Sequence, residues 1–255
     1  MSIEPTADTV TLTRHEGGIA EISVNRPDRH NAMTAAMYEK LLECIAQAQA
    51  DASVRCVLLK GEGGKSFVSG TDISHFKDFA DGSEGIAYEA FVERVIDAVE
   101  RIQVPTIAVI DGWTVGGGLA LATACDFRIC TNASRFGAPI AKTLSNTLSA
   151  RNMARLVAAI GVPRVKRMLL LADYLSADEM LQCGFVHAVA APIELAGQAR
   201  MLATRLTALS GTTQAAVKES LRRIVVEHNL DDDDLVESVY GSDAFRKGVA
   251  AFIKS

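Results

Sequence analysis

The stretch Pro105-Thr106-Ile107-Ala108-Val109-Ile110-Asp111-Gly112-Trp113-Thr114-Val115-Gly116-Gly117-Gly118-Leu119-Ala120-Leu121 decides the fold. Residues 106–110 form a short run that is apolar after Thr106, the pattern of a strand buried on both faces. Pro105 separates that run from the preceding segment, residues 86–102, where Phe91, Val95, Ile96 and Val99 recur at helical spacing. Three consecutive glycines then lead into a helix of small residues over 119–124. A strand, a turn bare of side chains and a helix start leave amide N–H groups unpaired at the positive end of the helix dipole.

Outward from this stretch, strands and helices alternate. Residues 10–13 and 19–24 alternate apolar and polar around Glu16-Gly17-Gly18 and read as a β-hairpin. Thr34 is a plausible N-cap for a helix that runs through Met37, Leu41, Leu42 and Ile45. Residues 54–59 predict a strand ended by Gly61-Glu62-Gly63-Gly64, and residues 127–131 predict another. Such alternation belongs to an α/β fold with a largely parallel sheet. The second half reads as helices over 152–160, 164–171, 177–183, 193–209, 213–227 and 242–253, with Gly161, Gly184 and Pro192 between them. The organisation expected is an α/β core over 1–195 and a helical C-terminal region over 196–255. The sequence shows no internal repeat.

Composition narrows the function. Of 255 residues, 49% are apolar and only 5% aromatic, so the core is aliphatic. A net charge of -5 argues against a nucleic-acid partner, which needs clustered Lys and Arg. Met1 to Asp8 is polar and acidic, unlike a signal peptide, and no apolar run is long enough to span a bilayer. Five cysteines (Cys44, Cys56, Cys125, Cys130 and Cys183) lack CxxC spacing, which fits reduced thiols in a cytoplasmic protein.

Two motifs fall short. Gly64-Lys65-Ser66 has the end of a phosphate-binding P-loop, but Leu59 stands where the first glycine is needed, and Phe67-Val68 has strand character. Asp231 to Asp234 suit a solvated helix N-terminus better than a metal site, and the five histidines lack ligand spacing, so no metal is expected.

A second glycine-bearing loop, Ser66-Phe67-Val68-Ser69-Gly70-Thr71-Asp72-Ile73, precedes the triple glycine. Further matches are Asn25-Arg26-Pro27 with Asn31-Ala32-Met33, Cys125-Asp126-Phe127-Arg128-Ile129, Phe136-Gly137-Ala138-Pro139 and a tail from Asp243 to Phe252. Together they resemble the enoyl-CoA hydratase/isomerase, or crotonase, superfamily over nearly the whole chain. The resemblance implies a crotonase-like ββα superhelix core with a helical C-terminal trimerisation region, and a homotrimer or dimer of trimers. It implies an acyl-CoA thioester as substrate, with no cofactor beyond the coenzyme A moiety. By position, the amides of Thr71 and Gly117 form the oxyanion hole, a pair of donors aimed at the thioester oxygen. Ser69, Asp72 and Ile73 belong to the loop that holds coenzyme A, and Arg26, Arg29 and Lys254 are candidates for its phosphates.

The chain departs from the family at both catalytic glutamates. Ala120 and Ile140 stand at those positions, and neither can hold or transfer a proton. The acid/base group is therefore unassigned. His75, Asp78 and Glu89 follow the first loop, and His75 is the first choice because imidazole titrates near neutrality. Residues 142–149 carry hydroxyls, an amide and a lysine but no carboxylate, with Ser149 read as a helix cap. Two functions stay open: an enzyme performing isomerisation, decarboxylation or another non-hydratase reaction through an enolate, and an acyl-CoA-binding protein without turnover.

Overall fold

The computed structural model describes residues 9–254, with side chains to residue 253. The acidic start from Met1 to Asp8 and the side chain of Lys254 lie outside the described residues. Strands β1 (Thr9–His15) and β2 (Ile19–Asn25) form the expected antiparallel hairpin. Helix α1 (Ala35–Ala50) starts at Thr34, whose hydroxyl accepts the Met37 N–H at 3.3 Å.

Three rounds of strand, strand, helix follow. The first is β3 (Cys56–Gly61), β4 (Ser66–Val68) and α2 (Gly82–Glu100). The second is β5 (Thr106–Ile110), β6 (Trp113–Val115) and α3 (Gly117–Ala124). The third is β7 (Phe127–Thr131), β8 (Arg135–Gly137) and α4 (Ala150–Leu170). With β9 (Leu175–Ser176) and β10 (Ala188–Ala190), the strands make two sheets, ordered β1-β2-β3-β5-β7-β10 and β4-β6-β8-β9. The first strand of each round enters the larger sheet and the second enters the smaller. All pairings are parallel except β1 with β2 and β8 with β9. This is the expected ββα architecture, and it is a structural repeat that the sequence hides. Strands β4, β6 and β8 span three residues each, too short to show alternation.

Period-two alternation splits the larger sheet between two apolar layers. Val57, Leu59, Ala108 and Ile110 pack with Leu41 and Ile45 of α1 and with Val95 and Ile96 of α2. Cys56, Leu58, Ile107 and Val109 pack on the other side with Ala199, Leu202, Ala203 and Leu206 of α6 (Leu195–Thr207). Burial on both faces is why β5 is apolar at nearly every position, with Thr106 the exception. The same packing moves the expected boundary. A cut between residues 195 and 196 falls at the start of α6, yet α6 covers a face of the sheet and belongs to the core.

The remaining helices are α5 (Ala177–Gln182), α7 (Gly211–Arg222), α8 (Asp233–Tyr240) and α9 (Asp243–Lys254), with a π-helical turn over Arg223–Glu227 after α7. The sequence separated 152–160 from 164–171; the structure joins them as α4 with a break at Gly161 (φ 77°, ψ 153°), just before Pro163. Helix α8 begins where Asp231 to Asp234 read as a solvated helix N-terminus. Its acidic first turn is tied down by Arg223, whose two Nη atoms donate to the Asp234 carboxylate at 2.7 and 2.8 Å. Among the described residues, no helix is long and apolar enough to cross a membrane.

Candidate active site

The loop after β4 is fastened from below by residues 26–33. Met33 and Thr71 form an isolated parallel bridge: Met33 N–H donates to the Gly70 carbonyl at 2.8 Å and Asp72 N–H to the Met33 carbonyl at 2.9 Å. Asn31 is fully buried and left-handed (φ 57°), and its amide works as a three-way brace. Its Nδ2 donates to the carbonyls of Glu62 at 2.9 Å and Ser66 at 2.7 Å, while its Oδ1 accepts the Arg26 N–H at 2.8 Å. Arg26 donates through Nη1 to Asp72 Oδ2 at 2.6 Å and to the Ala32 carbonyl at 3.0 Å. Asp72 Oδ1 accepts the Ser74 N–H at 3.0 Å and so caps the turn that follows. Arg26 and Ser74 together hold the Asp72 carboxyl down to about 2. Arg26 and Asp72, expected to contact coenzyme A, are engaged with each other, and the pair fastens the loop.

The second arm is the turn from β6 into α3. Gly116 adopts φ 54°, ψ −118°, which side chains disfavour, and its N–H donates to the Gly137 carbonyl at 3.0 Å. Gly118 has no room for a side chain, since a Cβ there would lie 1.9 Å from the Val68 carbonyl oxygen. That contact draws the start of α3 against the end of β4. A Cβ on Gly117 would lie 3.9 Å from Thr71 N, and one on Gly70 would lie 3.6 Å from Gly117 N. The amides of Thr71 and Gly117 are therefore neighbours. Among the described residues, neither N–H donates to a protein acceptor. Two unpaired donors, one of them opening a helix, form a site for developing negative charge.

Side chains no sequence pattern linked surround this pair. Thr71 Oγ1 shares hydrogen bonds with Tyr38 Oη at 2.9 Å and Tyr88 Oη at 2.7 Å. Tyr38, from α1, is buried, and its hydroxyl would sit 2.8 Å from a Cβ on Gly117. Burial pushes both phenols above their ordinary value, so each keeps its proton at neutral pH. The Tyr88 ring packs against Phe76 and, with it, lines a cavity of about 550 Å³. Phe79, Ile86, Leu144 and Leu148 make the cavity apolar. Glu89 is the one carboxylate among the described residues lining it. Its Oε2 accepts the Ser149 N–H at 2.7 Å, and burial raises its carboxyl above the usual range.

The other candidates are spread around this centre. Ala120 lies one turn along α3 from Gly117, and Ile140 sits half-buried in the turn after β8, with its N–H on the Ala138 carbonyl at 2.8 Å. His75 is exposed on a 3₁₀ turn, Ile73–Phe76, edge-on to Phe76 and Phe79 and outside the cavity wall. Asp78 is exposed as well. Ser149 caps α4 as expected, accepting the Asn152 N–H at 3.1 Å. Arg29 and Ile73 are exposed and Ser69 is half-buried, all near the loop. Lys65-Ser66 runs into strand β4, so no helix follows it and the P-loop reading falls. A second cavity, about 580 Å³, lies under α7 and is lined by neither Thr71 nor Gly117; its charged groups are engaged in ion pairs, Lys218 with Asp126, Arg155 with Glu100 and Arg222 with Glu219.

The comparisons with known proteins agree with this geometry. The sequence profile described as enoyl-CoA hydratase/isomerase matches residues 14–254. The short-chain-enoyl-CoA hydratase of Clostridium acetobutylicum is 31% identical over 212 residues, covering 83% of this chain and 80% of that protein. A 4-chlorobenzoyl coenzyme A dehalogenase-2 from an Arthrobacter species is 30% identical over 220 residues, covering 82% of this chain and 76% of that protein. The solved structure of an enoyl-CoA hydratase/carnitine racemase from Magnetospirillum magneticum superposes with a TM-score of 0.87 at 30% identity, covering 98% of this chain and 94% of that one. With two ββα-built sheets, the Thr71 loop and the triple-glycine turn in place, the chain belongs to the enoyl-CoA hydratase/isomerase family.

Proposed function

We propose that this protein acts on acyl-CoA thioesters by stabilising an enolate at the amides of Thr71 and Gly117, and that it does so without the two-glutamate hydration route. One observation carries the reading. Two neighbouring amides lack protein acceptors, while Ala120 and Ile140 offer only carbon where the family's glutamates are expected. Isomerisation and decarboxylation are the reactions that fit, because each passes through an oxyanion and neither adds water to a double bond. A relative named as a dehalogenase supports a non-hydratase outcome on this scaffold, although most relatives are named as hydratases. No cofactor is needed beyond the coenzyme A moiety. Exposure of Ile73 and partial exposure of Ser69 on the loop support their contact with that moiety, and the exposed Arg29 is a candidate for its phosphates.

The test is a panel of CoA thioesters, scored for binding by calorimetry and for turnover by mass spectrometry. Gly117→Pro removes one amide donor. It should lower turnover by about 10²–10³ if the protein folds, the range for losing one oxyanion-hole donor. Thioester binding without any turnover across the panel would favour the second reading, a non-catalytic acyl-CoA-binding protein, which the loss of both glutamates also supports. A trimer or dimer of trimers is supported by apolar side chains exposed on the last helices, among them Ile224, Val249 and Ile253; light scattering decides it. Five free cysteines, four of them buried, support a reducing compartment such as the cytoplasm.

A further inference from the structure

We infer that Glu89 is the proton-transferring carboxylate of this site, acting on the acyl chain from the α2 wall of the apolar cavity. The inference rests on the enolate reading above. Three features of the geometry support it. The cavity adjoins the hole, because Tyr88 both bonds Thr71 through its hydroxyl and lines the cavity with its ring. Glu89 is the next residue of α2 and supplies the only carboxylate among the described residues of that wall. Its Oε2 is held by the Ser149 N–H at 2.7 Å, whereas its Oε1 has no protein partner among the described residues. One oxygen is thus oriented and the other is available, which is the arrangement of a positioned general base.

The surroundings set its proton affinity. Glu93 lies one turn further along α2, and it is engaged by Arg155 Nη1 at 2.7 Å and by the Ser149 hydroxyl at 3.1 Å. That leaves apolar burial as the largest influence on Glu89, and it raises the carboxyl. In the step, a Glu89 oxygen takes a proton from the acyl carbon next to the thioester. The C–H electron pair becomes the new C–C π bond, and the carbonyl π pair moves to the oxygen held by Thr71 and Gly117. Return of a proton from the Glu89 carboxyl, after exchange with solvent, to the carbon two positions further along a 3-enoyl chain moves the double bond, and the oxyanion pair re-forms the carbonyl. No water, oxidant or second substrate is consumed. In this step a carboxylate of α2 takes the place of the family's glutamates.

The probe is trans-3-hexenoyl-CoA in deuterium oxide, with deuterium entering the acyl chain followed by mass spectrometry. Wild-type protein should incorporate deuterium. Glu89→Gln should slow incorporation by about 100-fold or more while binding the same thioester within about three-fold, and Glu89→Asp should recover part of the rate. The wild-type rate should fall on the acid side through a pKa above the ordinary carboxylate range, about 4.3, and that limb should vanish in Glu89→Gln. Equal rates in Glu89→Gln and wild type would overturn the inference. Wild-type protein that binds the thioester without exchange would overturn it too. Failure of the wild type to bind any CoA thioester would instead bring down the enolate reading on which it rests.

Discussion

The hole and the cavity, although adjacent, are made of different material. The hole is main chain: two amides, brought together because Gly118 lets α3 touch the Val68 carbonyl and because Asn31 and Arg26 clamp the Thr71 loop. The cavity is side chain: aromatic rings from the segment after the loop, Glu89 from α2 and the residues around Ser149. Main-chain donors cannot be lost by changing a side chain, only by a change that moves the backbone or removes the N–H. A carboxylate can be lost, or supplied from another wall, in one substitution. A site built this way can keep its amide pair while its carboxylates change, so Ala120 and Ile140 are compatible with the paired amides of Thr71 and Gly117.

The sharpest way to break this contrast is Gly118→Ala. Its Cβ would meet a backbone oxygen at 1.9 Å, so β4 and α3 must part, and a loss of more than about 4 kcal/mol is expected, in the class of severe packing mutants. Thermal or urea unfolding reads it directly; a melting temperature equal to wild type would mean that the close contact does not hold the hole together. Tyr88→Phe is the next largest. It removes one hydroxyl from Thr71 without touching either amide, and a loss of about 1 kcal/mol, or roughly five- to ten-fold in turnover, is expected. If turnover instead fell as far as in Glu89→Gln, the phenol rather than the carboxylate would be moving the proton.

Acid pH probes the clamp. The Asp72 carboxyl is held down to about 2 by Arg26 and Ser74, below its ordinary value of 3.8. A depressed carboxyl stabilises the fold above its unfolded value, and that contribution is lost as pH falls from 3.8 towards about 2. Partial exposure limits it to about 1 kcal/mol. Asp72→Asn should remove the corresponding slope from a plot of melting temperature against pH over this interval, and an unchanged slope would assign the acid sensitivity elsewhere. The smallest effect is expected for His75→Ala. An exposed ring outside the cavity should change turnover by less than about two-fold, within the ±0.5 kcal/mol of an ordinary surface change; a loss near that of Glu89→Gln would return the base to His75.

The same division explains what the sequence could reveal. Main-chain features leave marks in residue type: Pro105, the run over 106–110 and three glycines announced β5, the turn and α3 almost to the residue. Asn31 was visible as part of a motif, but its brace between Glu62, Ser66 and Arg26 was not, because it joins segments far apart in the chain. The smaller sheet was illegible for want of length in β4, β6 and β8. Tyr38 and Tyr88 meet at Thr71 only through the packing of α1 and α2, which no local spacing encodes. His75 was preferred to Glu89 on intrinsic titration alone. His75 is exposed and Glu89 lines the cavity, a difference in burial that belongs to the fold and not to any local spacing.

Hydration of crotonyl-CoA by wild-type protein, followed through loss of the enoyl absorbance, tests the central claim most directly. A protein with the hole but without the glutamates should bind crotonyl-CoA and leave its double bond unhydrated, at the rate of a protein-free control. Steady hydration in the ordinary enzymatic range of about 1–10³ s⁻¹ would contradict the account, since Ala120 and Ile140 can activate no water.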